Sequence, residues 1–260
     1  MSLFSNHSIE LIIGNRGGWG CARVLQLLDY DLISEEGTVM MGYSDYTALL
    51  NAITHKTGRV TIHGPMGVDN WTPDPSLDGL SNVKYVTEML FQNQLLTFSN
   101  PASFPYTTVT SGKGKGRLIG GNLATFTAMI PSYFVQADFT GKILFLEEVG
   151  EAPYRIDRWL TQLALAGVFD EISGFVFGQC TSCGTNNATD PSDPYGFTWK
   201  QVLTMRLSQY PLVPSFYGGM FGHGINTQWT LPVGGMVEID ADAGTITMLE
   251  PATGNDEQDS

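Results

Sequence analysis

Cationic side chains are scarce in this chain of 260 residues: 13 Lys and Arg stand against 26 Asp and Glu, a formal net charge of −13. A protein this acidic has little with which to grip a phosphate backbone or an anionic lipid surface, so nucleic acid and membrane are not expected partners. Cysteine is nearly absent, with Cys21, Cys180 and Cys183 alone. An odd, sparse count is not a disulfide framework. Cys180-Thr181-Ser182-Cys183 lacks the second ligand pair of a structural metal site, so its two cysteines are expected as ordinary reduced thiols. No apolar run approaches the roughly 20 residues of a membrane span. The opening Met1 to His7 has neither the basic start nor the apolar centre of a secretory leader, and a cytoplasmic location is expected. Asn187-Ala188-Thr189 fits a glycosylation sequon, but nothing else suggests secretion. Internal repeats are also missing.

What is present reads as an α/β protein. Hydrophobic residues make up 42% of the chain, enough for a real core in one large domain or two smaller ones. Residues 9–13 read as a buried strand running into Gly14-Asn15-Arg16-Gly17-Gly18-Trp19-Gly20, then a helix over 21–28. Residues 39–43 form a second strand, followed by a turn at Ser44 and a helix over 45–56 with Leu49, Ala52 and Ile53 on one face. Residues 60–62 give a third strand. This alternation predicts a parallel sheet whose site lies at the C-terminal strand ends, where both the glycine-rich and the serine turns fall. Residues 67–116 are irregular apart from one expected helix over 82–93. A strand over 141–148, a helix over 154–166 with Ile156, Trp159, Leu160 and Leu163 as its stripe, a short strand at 175–177 and a hairpin of 236–240 with 245–249 follow. Residues 185–196 read as a loop and 255–260 as a disordered acidic tail.

Ser44, between a strand and a helix, occupies a place where a hydroxyl can be exposed near outward-pointing N–H groups. The competing reading is that it simply caps the helix. A serine nucleophile needs a base, and there are only four histidines. His7 lies at the start, His55 on the helix after Ser44, and His63 at a strand end in His63-Gly64-Pro65-Met66, structural or lining a pocket. His223 lies in Phe221-Gly222-His223-Gly224, where flanking glycines let the backbone turn sharply and leave an imidazole facing a cleft. Glu147 and Glu148 end an apolar strand on opposite sides, and one of them can orient the imidazole. The order serine, acid, histidine recurs in α/β hydrolases, but Gly42-Tyr43-Ser44-Asp45-Tyr46 is not their G-x-S-x-G elbow.

The set Arg16-Gly17-Gly18-Trp19-Gly20, Gly42-Tyr43-Ser44-Asp45, His63-Gly64-Pro65-Met66, Gly120-Gly121-Asn122-Leu123, the stretch from Leu146 to Arg158 and Phe221-Gly222-His223-Gly224 resembles, in order, the serine LD-carboxypeptidases (murein tetrapeptide carboxypeptidases) and the related microcin-immunity peptidases. The resemblance implies Ser44 as nucleophile, His223 as base and Glu147 as the acid, with the N–H groups of Gly18 and Asp45 as the oxyanion hole. It also implies a Rossmann-like N-terminal domain over 1–104, a swivelling β-rich α/β domain over 105–250 and a tail over 251–260. The expected form is a homodimer without metal or organic cofactor. Family members carry about one further βαβ segment ahead of residues 9–13, so the first sheet is expected to lack strands and show an apolar edge. The implied reaction is hydrolysis of the amide before a terminal D-amino acid of a murein-derived peptide. The leaving carboxylate calls for a cation, and Arg16, Arg155 and Arg158 are candidates; His63 is a further candidate at the substrate. Two alternatives stand beside this. One is an immunity-type peptidase acting on peptidyl or aminoacyl nucleotide conjugates, with Trp71, Trp199 or Trp229 against the base. The other is a catalytically silent binding protein of the same fold.

Overall fold

The computed structural model describes residues 1–73, 77, 79–135, 138–184 and 196–253. The sequon at Asn187, nearly all of the expected loop over 185–196 and the tail over 255–260 lie outside the described residues.

The backbone alternates strand and helix from its start, as the apolar pattern predicts. Strands β1 (Leu11–Ile13), β2 (Val39–Gly42) and β3 (Thr61–His63) pair in parallel, in that order. The helix expected over 21–28 is a 3₁₀ helix, Cys21–Leu27, followed by α1 (Tyr30–Glu35), whose Asp29 N-cap accepts the Leu32 N–H at 3.1 Å. Helix α2 (Thr47–Thr57) follows the Ser44 turn. Its residues from Thr47 to Ile53 are buried on every side, more than a single apolar stripe requires, because α2 packs against both sheets of the molecule. β1 pairs with β2 alone and forms the outer edge of this sheet, with Ile13 exposed.

The chain then forms α3 (Asn82–Val86), which runs on as a π-helical turn, Thr87–Phe91. A second, eight-stranded sheet is built from β4 (Thr97–Phe98), β5 (Thr107–Thr110), β6 (Lys113–Asn122), β7 (Ile143–Val149), β8 (Gly174–Thr181), β9 (Ser215–Tyr217), β11 (Met236–Asp240) and β12 (Thr245–Met248). Their spatial order is β4-β12-β11-β6-β7-β8-β9-β5, parallel from β6 to β9 and antiparallel at both flanks. Helices α4 (Leu123–Ala128), α5 (Pro153–Leu165), α6 (Val168–Glu171) and α7 (Trp199–Leu207) complete this part. On α5 the buried residues are Pro153 at its start and Ile156, Leu160 and Leu163 of the stripe expected from spacing, while Trp159 is half-buried.

The first sheet also takes β10 (Leu231–Val233), antiparallel to β3, from a stretch expected to belong to the second domain. Polar bonds fix the joint between the sheets. Asn51 on α2 donates to the Gly120 carbonyl at 2.8 Å and accepts the Gly120 N–H at 3.2 Å, and Thr47 Oγ1 accepts the Asn122 N–H at 2.9 Å. The C-terminal ends of β2 and β7 thereby meet across one cleft.

Candidate functional site

Ser44 leaves β2 through a sharp turn. Tyr43 is extended, with φ −147°, and Ser44 itself adopts φ 62°, a left-handed conformation uncommon for any residue but glycine. Such a conformation costs on the order of 1 kcal/mol or more and persists only where the surroundings enforce it. Here Tyr43 is buried, its hydroxyl donates to Asp69 Oδ1 at 3.2 Å, and the other oxygen of Asp69 receives the Met66 N–H at 2.7 Å. The cap reading of Ser44 is corrected by this geometry. Its hydroxyl reaches His223 instead, with Oγ 2.9 Å from Nε2. The glycine-rich turn after β1 lies directly on the serine: a Cβ at Gly17 would stand 3.0 Å from Ser44 Oγ. Asp45 binds the two turns together, its carboxylate receiving the Cys21 N–H at 2.8 Å.

His223 comes from the loop after β9, and Glu147 from the end of β7. Nδ1 of His223 stands 2.7 Å from Glu147 Oε2, and the His223 backbone N–H donates to the same oxygen at 3.2 Å. The approach depends on Gly222, whose φ is +106° and where a Cβ would lie 2.7 Å from Glu147 Oε2. The Thr181 hydroxyl donates to the His223 carbonyl at 2.6 Å and fixes the loop from the β8 side. Beside Thr181, Cys180 and Cys183 are joined as a disulfide, which corrects the expectation of free thiols. The overall cysteine count carried no sign of the tight turn that brings these two Cα atoms to 5.3 Å.

Glu147 and Glu148 are both buried, and β7 slips its register against β8 between Leu146 and Glu148. Glu148 turns away from the histidine. Its Oε1 accepts Asn122 Nδ2 and the Val149 N–H, each at 2.9 Å, and its Oε2 accepts the Ala124 N–H at 2.9 Å. Burial outweighs these donors and raises its pKa to about 7. At His223 burial opposes the charged form, yet the bond to Glu147 and the negative charges of Glu147, Glu148 and Asp69 prevail, and its pKa is raised. His63 is fully buried and its pKa is lowered to about 4 by desolvation. It sits behind Tyr43, between Phe145 and Phe221, and does not face the open cleft where a substrate contact was expected.

The remaining expected residues are dispersed. Arg16, Gly17, Gly18, Trp19, Arg23 and Asp45 line an open pocket of about 640 Å³ that adjoins the serine turn through Asp45 and through Gly17, which packs on Ser44. Among the described residues Arg16 makes no ion pair, whereas Arg155 is held by Glu151 at 3.0 Å and Arg158 lies over the Tyr154 ring. The three tryptophans weighed as base platforms are engaged elsewhere. Trp229 is fully buried, Trp71 donates to the Met66 carbonyl at 3.0 Å, and Trp199 packs on Phe177 and Tyr217. Sequence reasoning missed Asp69, which anchors the nucleophile turn through Tyr43 and lies in no motif, and Thr181, whose place inside Cys180-Thr181-Ser182-Cys183 drew attention to the cysteines instead. Among the described residues no group of three or more His, Cys, Asp or Glu side chains could hold a metal ion, and no helix is long and apolar enough to cross a membrane.

A mixed α/β architecture thus holds a serine, a histidine and a buried carboxylate hydrogen-bonded in series, an arrangement through which a hydroxyl can pass its proton to an imidazole. The LD-carboxypeptidase N-terminal domain matches residues 1–64 and the LD-carboxypeptidase C-terminal domain matches residues 115–239, and the chain belongs to this family. A putative carboxypeptidase of Streptomyces coelicolor is 32% identical over 94% of this chain and 73% of its own length. A probable murein peptide carboxypeptidase of Bacillus subtilis is 34% identical over 77% of this chain, a match spanning 60% of the Bacillus protein. A solved structure of MccF in complex with glutamyl sulfamoyl guanosine superposes with a TM-score of 0.83 at 28% identity, covering 97% of this chain and 79% of that one.

Proposed function

We propose that this chain is a serine-type LD-carboxypeptidase that hydrolyses the amide between an L-centre and a terminal D-amino acid of murein-derived peptides. The observation that carries the reading is the continuous series Ser44 Oγ–His223–Glu147, at 2.9 Å and 2.7 Å. Nε2 of His223 takes the Ser44 proton as Oγ attacks the carbonyl carbon, while Glu147 holds Nδ1–H and offsets the imidazolium charge. The N–H groups of Gly18 and Asp45 are assigned to the oxyanion. The imidazolium returns its proton to the leaving amine as the C–N bond breaks. Water, deprotonated by the same histidine, then releases the acyl group from Ser44. Arg16, without an ion-pair partner among the described residues and lining the pocket beside the serine, is assigned to the carboxylate of the leaving residue. By family likeness the working form is taken to be a cytoplasmic homodimer, with no resident cofactor in the reaction.

The similarity to MccF favours a second reading, cleavage of peptidyl or aminoacyl nucleotide conjugates. Against it, the three tryptophans considered for a nucleobase are committed to packing or hydrogen bonding. Assay of a murein tetrapeptide beside an aminoacyl sulfamoyl adenylate separates the two. Release of D-alanine alone is the expected result; cleavage of the adenylate with no D-alanine release refutes the first reading, and a folded protein inert towards both supports a silent binding role.

A further inference from the structure

Two buried side chains at the hydrogen-bonded series, Glu147 and His63, carry polar atoms without a protein partner. Glu147 is fully buried; its Oε2 takes both bonds from His223, and its Oε1 has none. His63 is also fully buried, and neither ring nitrogen is bonded. A carboxylate oxygen or an imidazole N–H left without a partner inside a protein forfeits its solvation with nothing in return, and such atoms in native structures are seldom without explanation.

The two groups share one compartment. Phe145, two residues before Glu147 and on the same face of β7, meets the His63 ring edge-on at 5.1 Å. Phe221 lies 6.1 Å from His63, and the next residue, Gly222, rests on the Glu147 side chain. Tyr43 stands between the histidines, 5.9 Å from His63 and 5.0 Å from His223 by ring centroids. The Glu147 charge acts on His63. One group needs an acceptor and the other a donor, and β7 and the loop at Phe221 and Gly222 pack against both.

We propose that His63 is a positioning residue for Glu147, its ring N–H reaching Oε1 through one buried water and thereby fixing the carboxylate that orients His223. The proposal rests on the Ser44–His223–Glu147 reading and adds a member to it. A neutral imidazole suits the task, since it supplies a donor without a positive charge that would compete with the imidazolium of His223 for Glu147. The depressed pKa of His63 keeps it neutral throughout the working range. The other ionisable groups around the pair are Glu148 on β7, Tyr43 at the serine turn, Asp69 bonded to it, and His223.

The first test is a crystal structure of the wild-type chain at a resolution that shows ordered water. The expected result is a water within hydrogen-bond distance of both Glu147 Oε1 and one His63 nitrogen; a dry gap between them overturns the proposal. The second is the pH dependence of tetrapeptide hydrolysis. His63→Phe keeps the apolar packing but removes the donor, and kcat is expected to fall at least about tenfold with little change in KM. Its acidic limb should move to higher pH, because a carboxylate robbed of one donor holds the His223 proton more tightly. His63→Gln, which restores an N–H donor, should recover most of both. Wild-type kcat and pH profile in His63→Phe, or equal losses in both variants, contradict the positioning role. Ser44→Ala distinguishes the underlying reading: if that variant still hydrolyses the peptide, the triad assignment itself fails, whatever His63 does.

Discussion

A single oxygen of Glu147, Oε2, receives both the ring Nδ1 and the backbone N–H of His223, at 2.7 Å and 3.2 Å. The carboxylate therefore fixes the imidazole and the loop that carries it at once. It is fully buried, so its charge acts on His223 with little solvent screening.

Glu147→Gln removes that charge and presents an amide that can no longer hold the imidazole in one tautomer. A fall in kcat of about 10³–10⁴-fold is expected, as for an orienting carboxylate. The acidic limb should move to lower pH, since Glu147 is what raises the His223 pKa against the effect of burial. Steady-state kinetics of tetrapeptide hydrolysis across pH check both; an unmoved limb would separate Glu147 from the base.

In the wild type the raised His223 pKa sets the direction of the pH–rate curve. The base must be neutral, and its proton is held more tightly than on a free imidazole at 6.5. The logarithm of kcat/KM should therefore still be rising at pH 6.5 and level only above it. A plateau already complete below pH 6 contradicts the assignment of His223.

Gly222→Ala tests the close approach of the loop. An alanine at φ +106° is strained and its methyl group meets Glu147 Oε2 at 2.7 Å. A loss of about 1–3 kcal/mol in urea unfolding is expected from the backbone alone, together with a large drop in activity. Wild-type stability and rate would show that the loop has room that the structure denies it.

Glu148 gives a stability signature. Its folded pKa of about 7 lies above the ordinary value of 4.5. Between these values the folded chain keeps a proton that the unfolded chain has lost, so this group's contribution falls as pH rises from 4.5 to 7. Glu148→Gln should flatten that part of the dependence. It should also cost about 1–3 kcal/mol, because an amide cannot accept from Ala124 and from Asn122 and Val149 together. Urea melts of the two proteins at pH 5 and pH 8 measure it; parallel curves contradict the pKa.

Arg16→Ala should raise KM for a tetrapeptide about tenfold or more and leave kcat nearly unchanged, as loss of a charge-assisted contact to substrate does. The penalty should vanish when the terminal carboxylate of the peptide is amidated. An equal penalty for both substrates assigns Arg16 a structural role.

Much of this was legible in the sequence because the informative residues sit where local pattern is strong. The strands ending at Gly42 and Val149 are apolar runs that put Ser44 and the pair Glu147-Glu148 at their ends, and the scarcity of histidine brings His223 forward; the choice of Glu147 over Glu148 rested on the family resemblance. β6 was not legible. Its inward positions Gly114 and Gly116 have no hydrophobic side chain, and its outward ones are Lys113, Lys115 and Arg117, so the longest strand of the second sheet reads as a linker. The all-round burial of Thr47 to Ile53 on α2 was hidden too, because its second face is covered by β6 and α4 from far along the chain. The place of His63 behind Tyr43 depends on Phe145 and Phe221, which only the tertiary fold brings to it.

The nucleophile is tested most directly by a fluorophosphonate probe followed by mass spectrometry of the digested protein. The account predicts one phosphonylated residue, Ser44, with labelling abolished in Ser44→Ala and strongly slowed in His223→Ala. A folded wild-type protein that takes no label, or takes it on another side chain, contradicts it.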